Sequence, residues 1–110
     1  MAKKVKSQAK AKEPKEQVTN LLARVPEEYV FLCHDGRVFR DMKELAEGLI
    51  AMSNETFAFH SSFEKHDFSN WVRDIIKDEK LASELAMAAN RLQAAEYVTA
   101  KVTRLTSSVT

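Results

Sequence analysis

Large apolar side chains are nearly missing from the first fifteen positions, where Val5 is the only one after Met1, and they become periodic only after Pro14. A segment of Lys, Ala, Ser and Gln cannot bury enough surface to offset its ordering entropy, so residues 1–16 are expected to form a disordered tail. Val18, Leu21, Leu22 and Val25 then fall at near-helical spacing. Pro26 ends that helix, because the residue before a proline disfavours the helical region. Tyr29-Val30-Phe31-Leu32-Cys33 is aromatic and β-branched, and Arg37-Val38-Phe39 follows across an Asp35-Gly36 turn. Asp-Gly between two such runs predicts a hairpin with strands near 29–33 and 37–39.

The period then changes to that of a helix. Met42, Leu45, Leu49 and Met52 form one stripe, with Ala46 and Ile50 beside it, and Asp41 with Glu44 reads as a capping box. Ser53 caps a short helix carrying Phe57, Phe59 and His60, which Ser61-Ser62 breaks. Asp67 is expected to cap a third helix with Phe68, Trp71, Val72, Ile75 and Ile76 inward and Arg73 and Lys77 outward. Asp78 is expected to cap a fourth helix with Leu81, Ala82, Leu85 and Ala89. Two readings compete for the last third. Positions 81, 85, 88, 92, 95, 99 and 102 step as a heptad, but Asn90 and Gln93 form a second capping box that favours a break near Asn90. Thr and Val enrichment from 98 onward weakens helix, with fraying expected at 106–108.

These elements predict an α+β fold, mostly helical: one short β-hairpin packed against four or five short helices. Residues 17–106 form a single globular domain and 107–110 a frayed C-terminus. A chain of 110 residues, 45% hydrophobic and 30% charged, with two Gly and two Pro, suits one helix-biased domain. The net charge of +1 conceals a division: residues 1–16 carry +4 from Lys3, Lys4, Lys6, Lys10, Lys12 and Lys15 against Glu13 and Glu16, and the remainder carries −3. Cys33 is the only cysteine, so no internal disulfide forms and a reducing, cytoplasmic setting is expected. There is no apolar run of membrane-spanning length and no apolar stretch behind the basic N-terminus, so neither a membrane span nor a secretory signal is expected.

Candidate chemistry is sparse. His60, His66 and Asp67 contain the donor types of a zinc site, with Glu64 and Trp71 nearby, but no His-x-x-x-His pair shares a helical face. The alternative is structural: His60 bonds a loop or helix end, Asp67 caps, and Trp71 is core. Cys33-His34-Asp35 holds the letters of a catalytic triad, yet consecutive residues cannot converge as one, and Cys33 reads as a small buried hydrophobe. Gly36 and Gly48 are the only glycines, so neither a dinucleotide fingerprint nor a P-loop exists. Gly48 lies inside a helix, which implies close helix packing there. No catalytic residue and no cofactor is expected.

Two binding surfaces remain. The six tail lysines read as a non-specific polyanion contact or as a solubilising extension. Phe57, Phe59, Phe63, Phe68 and Trp71 lie within fifteen positions, and most must be core. From this group Phe57, Phe63, Phe68 and Trp71 are the candidate partner surface. The function expected is a non-catalytic protein-interaction or accessory module, monomeric or weakly homodimeric. Nucleic-acid association through the tail is the alternative, and metal binding the third reading.

The string from Tyr29-Val-Phe-Leu-Cys-His-Asp-Gly through Asp41-Met-Lys-Glu-Leu-Ala, Phe57-Ala-Phe-His60, Asp67-Phe68-Ser-Asn-Trp71 and Asp78-Glu-Lys-Leu-Ala resembles a small archaeal and bacterial family of domains of unknown function. The resemblance covers about residues 28–85. His66 stands where that family usually shows Asn, and Phe59 where it often shows Tyr. The resemblance implies the boundaries drawn above and no activity.

Overall fold

The computed structural model describes residues 20–62 and 65–109. The proposed tail, with Lys3, Lys4, Lys6, Lys10, Lys12 and Lys15, lies outside the described residues, as do Val18, Phe63 and Glu64. Within them the fold is mostly helical with one antiparallel hairpin. Helical residues 20–22 place Leu21 in the core, and Val25 N–H then donates to Arg40 C=O at 2.8 Å.

Strand β1 is Phe31–Leu32 and β2 is Val38–Phe39, with Phe31 opposite Phe39 and Leu32 opposite Val38. The strands are shorter than the sequence predicts. Pro26 seeds a 3-10 turn over Glu27–Tyr29 instead, closed by Tyr29 N–H on Pro26 C=O at 2.8 Å. Tyr29 then uses its own carbonyl to accept from the Trp71 indole N–H at 2.8 Å, outside any strand ladder. The hairpin loop spans residues 34–36, the three that the predicted strands leave between them. Cys33 N–H bonds Arg37 C=O, Gly36 N–H bonds Cys33 C=O, and Gly36 takes φ +98°. A turn followed by a positive-φ glycine is a common three-residue solution, and Asp35 Oδ1 supports it by accepting from Arg37 N–H.

Helix α1, Met42–Ala51, starts as expected: Asp41 Oδ1 accepts from Glu44 N–H at 2.8 Å. The reciprocal arm is displaced by one residue, because Glu44 Oε1 accepts from Arg40 N–H. Met42, Leu45, Ala46, Gly48 and Leu49 are buried. Gly48 is there for the hairpin rather than for another helix. A Cβ at Gly48 would lie 2.2 Å from the Phe39 ring, so hydrogen alone lets β2 seat on α1. Helix α2, Asn54–His60, begins on the Ser53 hydroxyl, which accepts from Thr56 N–H.

Helix α3, Asp67–Trp71, is not capped by Asp67. The N-cap position is His66, without a side-chain bond, and the Asp67 carboxylate turns back toward His60 instead. Beyond Trp71 the 3.6-residue winding predicted from the sequence widens into a π-helical turn, Val72–Ile76. Lys77 closes it in the left-handed region at φ 75°, and Lys77 and Asp78 N–H both donate to Val72 C=O. Helix α4, Glu79–Ala86, is capped by Asp78 Oδ1 on Leu81 N–H, as expected. The buried Ser69 hydroxyl donates to Ala82 C=O and fastens α3 to α4.

The break near Asn90 is present. Asn90 Oδ1 accepts from Gln93 N–H and Gln93 Oε1 from Ala89 N–H, opening helix α5, Arg91–Val109. The expected weakening after 98 is corrected: the helix continues because Ala94, Ala95, Val98, Lys101 and Leu105 form one buried stripe. Burial along such a stripe outweighs the small propensity loss of Thr and Val. Helices α1 and α5 form the main packed pair. Among the described residues no helix is long and apolar enough to cross a membrane.

Candidate functional site

His60 sits at the last turn of α2, 5% exposed, where three segments meet. Its Nε2 accepts from His34 N–H at the hairpin tip at 2.9 Å, and its Nδ1 lies 2.9 Å from Asp67 Oδ2. A backbone N–H can only donate, so Nε2 carries no proton and Nδ1–H donates to Asp67. Asp67 in turn holds Lys65 at 3.3 Å. The Lys65 ammonium lies 4.1 Å from the centroid of Phe59, against which the His34 ring stacks at 3.9 Å.

Of the polar cluster, Glu64 lies outside the described residues. The structure brings His60 and Asp67 together but commits both ring nitrogens to protein partners. Among the described residues no group of three or more His, Cys, Asp or Glu side chains could hold a metal ion. The backbone of His66 instead pairs with Ser61 in an isolated antiparallel bridge that closes the loop before α3. His60 therefore pins the hairpin tip and the start of α3 to α2.

Of the four aromatic candidates for a partner surface, Phe63 lies outside the described residues. Phe68 and Trp71 are 2% and 7% exposed, and Phe57 is half-buried against the core. Phe31 is the centre of this group, with ring centroids 5.0 Å from Phe68, 5.1 Å from His60, 5.7 Å from Phe39 and 5.9 Å from Trp71. Such aromatic packing with an indole N–H satisfied is core chemistry. Cys33 is buried, and burial pushes its thiol above the ordinary value, which is the opposite of an activated nucleophile.

Among the described residues, one ion pair is buried on both sides. Lys101 Nζ lies 3.3 Å from Asp78 Oδ2, with side chains 9% and 6% exposed. Asp78 thus caps α4 with one oxygen and faces a cation of α5 with the other, coupling the start of α4 to the middle of α5 by charge.

The feature the sequence did not indicate is on the opposite side of α1. Ile50 of α1 and Leu92, Ala95, Glu96, Thr99 and Ala100 of α5 line a groove of about 500 Å³. Ile50 is 57% exposed and Leu92 60% exposed. Arg91, the chain neighbour of Leu92, donates its guanidinium to Leu49 and Ile50 C=O and to Asn54 Oδ1, capping α1 with a cation. The heptad phase placed Leu92 with core residues, whereas the observed stripe passes through Ala94 and Ala95 and leaves Leu92 beside it. A signal was present in Ile50, already displaced from the Met42–Leu45–Leu49 stripe.

No family model, no curated protein and no solved structure matches this chain.

Proposed function

We propose that the domain is a non-catalytic protein-interaction or accessory module that receives a partner in the α1–α5 groove. The observation that carries this reading is the pair of half-exposed aliphatic side chains, Ile50 and Leu92, over a concave surface of about 500 Å³. Large aliphatic residues grouped around a concavity cost solubility and return no folding energy, whereas a partner covering them gains their burial. The commitment of His60, Asp67, Phe68 and Trp71 to internal contacts further supports a binding role over a metal or catalytic one.

The test separates folding from binding. Leu92→Glu and Ile50→Glu should leave urea stability within about 0.5 kcal/mol of the parent, as expected of exposed positions. A loss of several kcal/mol in either variant would make the groove part of the core and sink the reading.

A second reading rests on the charge division, +4 over residues 1–16 against −3 beyond them. Six lysines in one segment suit nucleic-acid association with strong salt dependence. Binding to a DNA duplex at about 50 and 200 mM salt, with and without residues 1–16, tests it. Equal binding by both chains would remove the tail from the account.

A further inference from the structure

We infer that the α1–α5 groove takes an amphipathic helix that carries a basic residue beside its apolar stripe; this rests on the docking role proposed above. Three properties of the groove select this occupant. Both walls are helices, Ile50 on α1 and Leu92 through Ala100 on α5. Helix interiors have spent their backbone donors and acceptors, so the groove offers no strand edge for an extended peptide to pair with. An element that desolvates there must satisfy its own backbone, which a helix does.

The relief of the surface fits the same element. Ala95 and Thr99 are one turn apart and Ala100 follows, giving a shallow floor between the ridges of Ile50 and Leu92. The lined stretch from Leu92 to Ala100 corresponds to about 12 Å of helix axis, enough for two turns of a partner to lay down anchors. Small residues on the floor allow a ridge of the incoming helix to settle between the larger side chains.

Charge settles the flank. Glu96 is the one ionisable side chain lining the groove, and among the described residues it has no ion-pair partner. Arg91, the chain neighbour of Leu92, is already held by the α1 carbonyls. The lining is therefore complementary to a lysine or arginine on the occupant. The same carboxylate opposes a second copy of this chain, since a two-fold arrangement over the groove would bring Glu96 toward its own counterpart.

The experiment is an NMR titration of the full chain with four synthetic probes. The first is an alanine-based helix with Leu at i, i+4 and i+7 and flanking Lys. The second carries Glu in place of Lys. The third carries a central Pro that prevents helix, with composition otherwise unchanged. The fourth is the chain itself at rising concentration. Perturbed amides at Ile50, Leu92, Ala95 and Thr99 with the Lys helix alone, at least tenfold weaker binding to Leu92→Glu, and a preference shifted several-fold toward the Glu helix in Glu96→Lys are expected. Equal binding of the Pro probe overturns the helical occupant while leaving a docking groove in place. Equal binding of Lys and Glu helices overturns the basic flank. Self-association abolished by Leu92→Glu, without probe binding, overturns the inference in favour of a homodimer. Absence of any perturbation in the groove overturns both the occupant and the docking role.

Discussion

Replacing His60 by alanine removes three things at once. The His34 N–H loses its acceptor, Asp67 loses a donor, and the ring leaves Phe31 and Phe68, whose centroids lie 5.1 and 5.2 Å away. The stranded backbone N–H costs about 1–2 kcal/mol because it is partly shielded from water. The space left among the aromatic rings adds about 1–2 kcal/mol, below a full large-to-alanine core substitution because the site lies near the surface. Asp67 is about a third exposed and regains water, so its share is small. The sum is about 3 kcal/mol, or a fall of about 12–24 °C in Tm for a domain of this size. Urea unfolding followed by Trp71 fluorescence reads it directly, since that indole is buried and bonded to Tyr29 C=O. Two further variants divide the loss. His60→Gln can return an acceptor near Nε2, and His60→Asn a donor near Nδ1. Because the hairpin N–H is the costlier group to strand, Gln should recover about 1 kcal/mol over Ala and Asn less. An alanine variant within 0.5 kcal/mol of the parent, or a larger recovery by Asn, would refute the role assigned to the His34 contact.

Gly48→Ala should destabilise despite the helix propensity of alanine, because overpacking against Phe39 costs about 1–3 kcal/mol against a gain of about 1. The cost should vanish in a Phe39→Leu background, as a double-mutant cycle in urea would show. Lys101→Met should cost about 3 kcal/mol by leaving the Asp78 carboxylate buried opposite an apolar stem, with Asp78→Asn relieving part of it in the same background. The Cys33 thiol should react with an aromatic disulfide reagent only as fast as the protein opens. Its folded pKa is raised, so its contribution is intact below the unfolded value and is lost as pH rises through the folded one. Stability should therefore fall above about pH 9 in the parent and less steeply in Cys33→Ala, with rapid native-state labelling the contrary result.

The parts legible in the sequence were those set by local chemistry. Asp41, Ser53, Asp78 and Asn90 each cap the helix their side chains suit, because a cap needs only the next three residues. The hairpin was legible for the same reason, although Pro26 shortened its first strand from a distance the β-propensity of Tyr29 did not register. Asp67 shows where local reasoning stops. Its sequence context is that of a cap, but a buried imidazole seven residues earlier competes for the carboxylate and wins. The groove was illegible because alternation tells which side of a helix is apolar, not whether a neighbour exists to cover all of it. Ile50 and Leu92 are edge positions of their stripes, and only the packing of α1 on α5 determines that both remain open.

The π-helical turn at Val72–Ile76 makes the chain intolerant of length changes at that point. Five residues there occupy the arc that a tighter α winding would fill with fewer, and Val72 C=O collects both Lys77 and Asp78 N–H at its end. Deleting one residue from this turn would let the helix close regularly, yet it would rotate everything downstream by about 100°. Asp78 would then swing away from Lys101 and α4 from the Ser69 hydroxyl. Homologous chains sharing this fold are accordingly predicted to keep the spacing between Trp71 and Asp78 constant, while varying freely the identities of Arg73 and Asp74 on its outer side.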